Sequence, residues 1–229
     1  MQNLVRQAAE NWYGYGTWNA PYWFIGPEPG GHQNPTMYEA WAQLGGGELV
    51  DCRAHHQLAN QLNHNQHTRW HDERAVLQPT WRCLTLLLKI YEGTAIDKET
   101  IREYQRLHWG GLNGREAVVE ISCVHAQNMN EENEQLPRRQ QRPLLEARIE
   151  TLRRRIDEHR PTFAVFYGLG IYRGYYEQIV GADFDRQGYA ARNGTVCLLS
   201  RHPASRGIGN SFWIEQGREL RRRVTLAQR

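Results

Sequence analysis

Glu28 and His202 are the two side chains of this sequence whose types and settings best suit chemistry. Glu28 follows the run Tyr22-Trp23-Phe24-Ile25-Gly26-Pro27 and precedes Pro29-Gly30-Gly31. Bulky apolar residues that stop at Gly/Pro punctuation read as a buried strand entering a sharp turn. His202 follows a second such run, Thr195-Val196-Cys197-Leu198-Leu199, in the loop Ser200-Arg201-His202-Pro203-Ala204-Ser205-Arg206-Gly207. Ligands of open α/β sheets bind in the crevice beyond the carboxyl ends of the strands. One strand end therefore delivers a carboxylate and another a histidine, a catalytic rather than a packing layout. The plainer alternatives are a turn or N-cap carboxylate for Glu28 and a capping or core-satisfied histidine for His202.

The elements that must position this pair alternate along the chain. Helices are expected at 2–11, 35–44, 48–62, 79–91, 98–108, 144–159, 171–180 and 212–226, and strands at 22–26, 117–123, 162–167 and 195–199. Trp81, Leu84, Leu87, Leu88 and Tyr91 make a core stripe on one helix, and Asp97 is placed to cap another. Residues 127–143, polar and Pro-containing, read as a long loop or flap. Strands alternating with helices predict one α/β domain over 1–229: a three-layer α/β/α sandwich around a mostly parallel four-stranded sheet.

At 229 residues and 40% hydrophobic content, the chain can bury one sizeable core, or at most two small ones. Its net charge is +3 and its pI about 8.7, mildly basic and compatible with an anionic partner. Lysine occurs only at Lys89 and Lys98, while arginine crowds two regions: Arg138, Arg139, Arg142, Arg148, Arg153, Arg154 and Arg155, then Arg218, Arg221, Arg222 and Arg223. Guanidinium forks suit phosphate, though such runs equally form solvated helix faces. No stretch is apolar enough to span a bilayer and the N-terminus lacks a signal-peptide core, so a cytoplasmic location without membrane association is expected. The four cysteines are far apart with no Cys-x-x-Cys pair, and no disulfide framework or cofactor is expected.

The ordered set of a first-strand Gly-x-x-Pro-Gly loop (here Gly26 to Gly30, carrying Glu28), a middle strand ending in Gly (Pro161 to Gly170) and a last-strand His-Pro loop (His202-Pro203) resembles the uracil-DNA glycosylase superfamily. The likeness spans most of the chain. It implies a monomeric DNA glycosylase that cleaves the bond between sugar and base after flipping the nucleotide out of the duplex. Glu28 then corresponds to the acidic or amide residue that positions the hydrolytic water, and His202 to the histidine that contacts the base. Gly26 and Pro27 would border the base, and Gly30, Gly31, Gly168 and Ser205 would approach the DNA. Tyr38 and Trp41 are candidates to stack on the base, with core packing as the alternative. Arg206 or Ile208 is the candidate wedge.

The chemistry fits these residue types on its own terms. Cleavage builds positive charge on the sugar and negative charge on the departing base. A carboxylate meets the first and a hydrogen-bond donor the second. On the second strand the family often carries an Asn that reads uracil; alignment by the apolar run puts Glu120 there. An ionised carboxylate only accepts hydrogen bonds, which disfavours uracil and suits an amine-bearing, cytosine-type base. The alternatives are a register slipped by two, which would put Ser122 in the role, or a Glu120 that merely pairs with an arginine. Some bacterial proteins of this fold act in phage defence, removing glucosylated hydroxymethylcytosine, and the resemblance permits that reading without establishing it.

His55, His56, His64, His67 and His71 lie close together, with Cys52 and Asp72 nearby. Such spacings can build zinc sites, but without paired thiols a nucleic-acid-contacting loop is the preferred expectation and no metal site is assigned. Two rival functions stay open: a nucleotide or nucleoside hydrolase using Gly26 to Gly31 as a phosphate cradle, and a noncatalytic DNA-binding module of the same fold. The first lacks the Lys-Ser/Thr ending of a phosphate loop.

Overall fold

The computed structural model describes residues 2–28, 35–63, 66–94, 97–122, 124, 136–170 and 172–228, with backbone only at 66, 67 and 138. Among the described residues, seven strands form one mixed sheet: β1 (Gly14–Gly16), β2 (Tyr22–Gly26), β3 (Leu49–Val50), β4 (Glu116–Glu120), β5 (Phe163–Tyr167), β6 (Tyr189–Arg192) and β7 (Thr195–Ser200). Among the described residues there are eight α-helices: α1 (Gln2–Asn11), α2 (Pro35–Gln43), α3 (Cys52–Asn63), α4 (Pro79–Glu92), α5 (Lys98–Leu107), α6 (Arg138–His159), α7 (Tyr172–Val180) and α8 (Asn210–Ala227).

The sheet order is β3-β1-β4-β2-β5-β7-β6. The four expected strands, β4-β2-β5-β7, are mutually parallel and adjacent. The expectation of four strands falls short, because three short strands extend the sheet at its margins. Of these, β1 pairs antiparallel with β4 and parallel with β3, while β6 pairs antiparallel with β7.

The central strands are nearly continuous apolar runs because both faces are covered. Tyr22, Phe24, Val118, Phe163, Val165, Val196 and Leu198 point to one side, where they pack with Leu84, Leu87, Leu88, Trp213, Leu220 and Val224 of α4 and α8. Trp23, Ile25, Val119, Ala164, Phe166 and Cys197 point to the other, against Ile149, Leu152 and Ile156 of α6 and Tyr176 and Ile179 of α7. Alternation along each strand thus serves two cores at once. Helices α4 and α8 touch closely: a Cβ on Gly217 would stand 2.6 Å from the Leu87 carbonyl oxygen.

Three boundaries differ from the sequence reading by three residues or more. The helix expected from residue 48 begins at Cys52, because Leu49–Val50 pairs with β1. The strand expected over 117–123 ends at Glu120. The expected loop 127–143 yields to α6 from Arg138, with Pro143 inside the helix at the loss of one backbone hydrogen bond; residues 127–135 lie outside the described residues.

Candidate active site

Because β4, β2, β5 and β7 run parallel, their carboxyl ends lie at one end of the sheet. The register sets Gly26 opposite Glu120, Ile25 opposite Phe166, and Tyr167 opposite Ser200. Backbone bonds continue the pairing past the strands and pin the loops: Ile121 N–H donates to Gly26 O (2.9 Å), Ser122 N–H to Pro27 O (3.0 Å) and Gly168 N–H to Ser200 O (3.1 Å). Glu28, Glu120, Tyr167 and His202 are thereby delivered from four neighbouring strand ends.

Gly26 makes room for polar atoms. A Cβ there would lie 2.1 Å from Glu120 Oε2 and 2.4 Å from the Tyr167 hydroxyl oxygen, so any side chain at this position would displace the tips of Glu120 and Tyr167. The Tyr167 hydroxyl donates to Glu120 Oε1 at 2.9 Å, and Tyr176 O–H holds the Tyr167 carbonyl at 2.8 Å. Glu120 Oε2 is sealed from solvent and has no hydrogen-bond partner among the described residues. Burial pushes the Glu120 carboxyl up to about 8; the Tyr167 hydrogen bond opposes the shift and the negative charge of Glu28 adds to it. At neutral pH Glu120 is therefore mainly the neutral acid, able to donate as well as accept. This corrects the expectation of an ionised, acceptor-only side chain. Glu28 is half-buried and close enough for its charge to act on Glu120, so the crevice holds two carboxyl groups in different environments, the arrangement that separates acid from base roles.

His202 stands edge-on to Tyr167, with ring centroids 5.6 Å apart. Its Nδ1 accepts the Ala204 N–H at 3.1 Å. Burial lowers its pKa, so the ring is neutral at neutral pH with its proton on Nε2, a donor that carries no charge of its own. Gly168, at φ +98°, packs beside Pro27 and His202 in a conformation that side chains rarely adopt.

The remaining expected site residues divide. Pro27 is buried at the turn. The Ser122 hydroxyl accepts the Val124 N–H at 3.2 Å, so its oxygen serves a local turn. Tyr38 and Trp41 are buried against Trp12, Val5 and Ala8 between α1 and α2, and the Trp41 indole N–H donates to Gly47 O; the structure puts them in the core, as the plainer alternative held. Ser205 and Arg206 are exposed at the tip of the last loop, whereas Ile208 packs partly against the core beside α8. Gly30 and Gly31 lie outside the described residues.

The arginine-rich runs are mostly spent elsewhere. Arg155 pairs with Glu48 and Glu158, Arg142 with Glu146, and Arg222 and Arg223 with Glu219. A helix leading into a parallel strand ends at that strand's amino end, so Arg153, Arg154 and Arg155 sit away from the crevice. The same holds for Arg218 to Arg223, late in a helix that leaves β7. Arg148 is buried. Its guanidinium donates to the carbonyls of Ala9, Trp12, Glu120 and Ile121 at 2.8–3.1 Å and lies over the Tyr13 ring. It fixes the carboxyl end of β4, and with it Glu120, rather than facing phosphate. Arg201 and Arg206, both exposed beside His202, are the cations nearest the site in sequence.

A buried acid held neutral predicts a pH-dependent stability. Glu120 (about 8) and Glu116 (about 7, buried and bonded to Tyr104 and Gly110) both stand above their ordinary 4.5. Their contribution is fully present below 4.5 and is lost as pH rises through 7 and 8. Melting temperature should fall between pH 6.5 and 8 and level off above that, and the fall should be less steep in Glu120→Gln. A flat profile across that window would overturn the neutral-acid assignment. His71, held down to about 4 by burial, acts in the opposite sense and only on the acid side.

No family model matches this chain, and no curated protein is significantly similar to it in sequence.

Proposed function

We propose that this protein is a DNA glycosylase, acting as a monomer, that hydrolyses the N-glycosidic bond of a flipped-out, cytosine-type modified base and leaves an abasic site. The observation that carries the proposal is the convergence of Glu28, Glu120, Tyr167 and His202 at the carboxyl ends of four adjacent parallel strands. The parallel quartet with helices on both faces supports the α/β/α core expected of the uracil-DNA glycosylase superfamily. In this reading Glu28 orients the water and stabilises the cationic sugar. His202 Nε2–H meets the charge that develops on the base. Glu120, braced by Tyr167 and Arg148, reads the base edge, and the exposed Arg201 and Arg206 meet the phosphates.

Neutral Glu120 keeps uracil open as a second reading. A protonated carboxyl offers one donor and one acceptor, complementary to N3 and the N4 amine of cytosine but also to N3–H and O4 of uracil. Once ionised it only accepts, and uracil O4 is rejected. Discrimination against uracil should therefore sharpen as pH rises through about 8.

The test is incubation with duplexes carrying uracil, 5-hydroxymethylcytosine or glucosylated hydroxymethylcytosine at pH 7 and pH 9, followed by alkali to reveal abasic sites. Strand breaks at a modified cytosine, with a uracil signal that weakens at pH 9, are expected. Efficient uracil removal at both pH values, unchanged in Glu120→Ala, returns the protein to the ordinary uracil-removing class. Binding without any abasic site leaves a noncatalytic module.

A further inference from the structure

Three buried side chains outside the crevice come together from two parts of the chain. Cys52 and His56 stand one turn apart on α3, and His71 follows the 3-10 turn at Gln66–Trp70. His56 Nδ1 lies 2.9 Å from His71 Nε2 and 4.0 Å from Cys52 Sγ, and the three atoms all fall within 4.8 Å of one another. In a tetrahedral zinc site, bonds of about 2.0–2.3 Å put neighbouring donors about 3.3–3.6 Å apart. The observed spacings bracket those values, so small side-chain shifts would seat an ion.

The hydrogen bonds behind the cluster say which way its lone pairs point. The Met37 carbonyl can only accept, so His55 Nε2, 2.7 Å away, carries the proton. In the neutral ring His55 Nδ1 is then an acceptor, and the Tyr15 hydroxyl donates to it at 3.1 Å. That hydroxyl has one proton to give, so towards His56 Nε2 at 3.4 Å it accepts. His56 is thereby set with its proton on Nε2 and its lone pair on Nδ1, which accepts the His71 Nε2–H at 2.9 Å; to ligate an ion beside it, His71 shifts its proton to Nδ1 and turns the Nε2 lone pair to the metal. A second residue that bonds the outer nitrogen of an imidazole and so orients the inner one is the usual support of a metal ligand.

We propose that Cys52 Sγ, His56 Nδ1 and His71 Nε2 bind a divalent ion of the zinc class, with the fourth position taken by water or another donor. One thiolate and two imidazoles suit zinc rather than magnesium or calcium, which favour oxygen. On binding, the Cys52 thiol gives its proton to solvent and the thiolate sulfur bonds the metal. The ion ties α3 to the segment entering α4, and through Tyr15 to β1. It takes no part in the glycosylase reading and stands or falls separately from it.

The full chain, purified without chelator or polyhistidine tag, should contain about one zinc by elemental analysis. Its melting temperature should rise on adding zinc to the stripped protein. Loaded with cobalt(II), it should show a thiolate-to-cobalt charge-transfer band that Cys52→Ser abolishes. His71→Ala should weaken zinc binding at least tenfold. If either variant fails to fold, the wild-type cobalt spectrum and zinc-dependent melting decide alone. Absence of stoichiometric zinc together with no charge-transfer band, or a band that persists in Cys52→Ser, would overturn the site.

Discussion

Replacing Glu28 by Gln should slow excision by about two to three orders of magnitude while leaving DNA affinity near wild type. The substitution keeps the shape and one acceptor but removes the charge. In the proposed reaction the sugar becomes cationic as the bond to the base lengthens, and an anion beside it acts on that charge the more strongly once the bound DNA excludes water. Two features confine Glu28 to the task. It follows β2 by two residues, beyond the buried Pro27, and the next strand is bonded to that turn through Ser122 N–H to Pro27 O. The neighbouring carboxyl, Glu120, is mostly neutral near pH 7 and cannot replace the lost charge. Single-turnover excision and fluorescence anisotropy on the same modified duplex check both halves of the expectation. A variant that turns over at near-normal rate removes Glu28 from the chemistry.

The parallel heart of the sheet was legible because a strand buried on both faces has to be apolar throughout. Trp23 and Ile25 feed one core and Tyr22 and Phe24 the other, so the run 22–26 stands out, and Gly26-Pro27 marks its end. The marginal strands were not legible by the same signal. Gly14–Gly16 has almost no side-chain signature; its place is set by the partner strand, whose Val118 oxygen would lie 2.1 Å from any Cβ on Gly14. Tyr189–Arg192 did carry a cue: Asn193 and Gly194, at φ 46° and 86°, form the Asn-Gly turn that favours hairpins.

Within the site, Glu28 and His202 could be placed because each follows a strand end directly. Tyr167 could have been found by that logic, as the last strand residue before Gly168. The protonation of Glu120 could not, since it follows from burial that outweighs a hydrogen bond from a hydroxyl 47 residues away. Arg148 also resisted reading: arginine on a helix is ordinarily solvated, and only the assembled fold brings four backbone carbonyls to one guanidinium. In the histidine-rich segment the Cys52/His56 spacing was visible. The approach of His71 depended on how the intervening chain turns back.

Removing the imidazole in His202→Ala should raise the barrier by on the order of 3 kcal/mol, roughly a hundredfold in rate, for a base that leaves poorly. The argument runs through the proton's position. The Ala204 N–H occupies Nδ1, so a neutral ring must hold its proton on Nε2, and burial keeps the ring neutral below its ordinary 6.5. A neutral donor stabilises negative charge as it forms without needing to be titrated first. The rate should accordingly show no requirement for a group protonating near 6.5. It also follows that the loss must scale with the charge the departing base develops. Bases that are already good leaving groups depend less on the donor, so their rates should fall less in the variant. Excision measured under single-turnover conditions across a series of substituted cytosines or uracils, plotted against leaving-group acidity, should give a steeper slope for His202→Ala than for wild type. Equal losses along the series would mean that the ring only braces Tyr167 and Gly168 and does not meet the base.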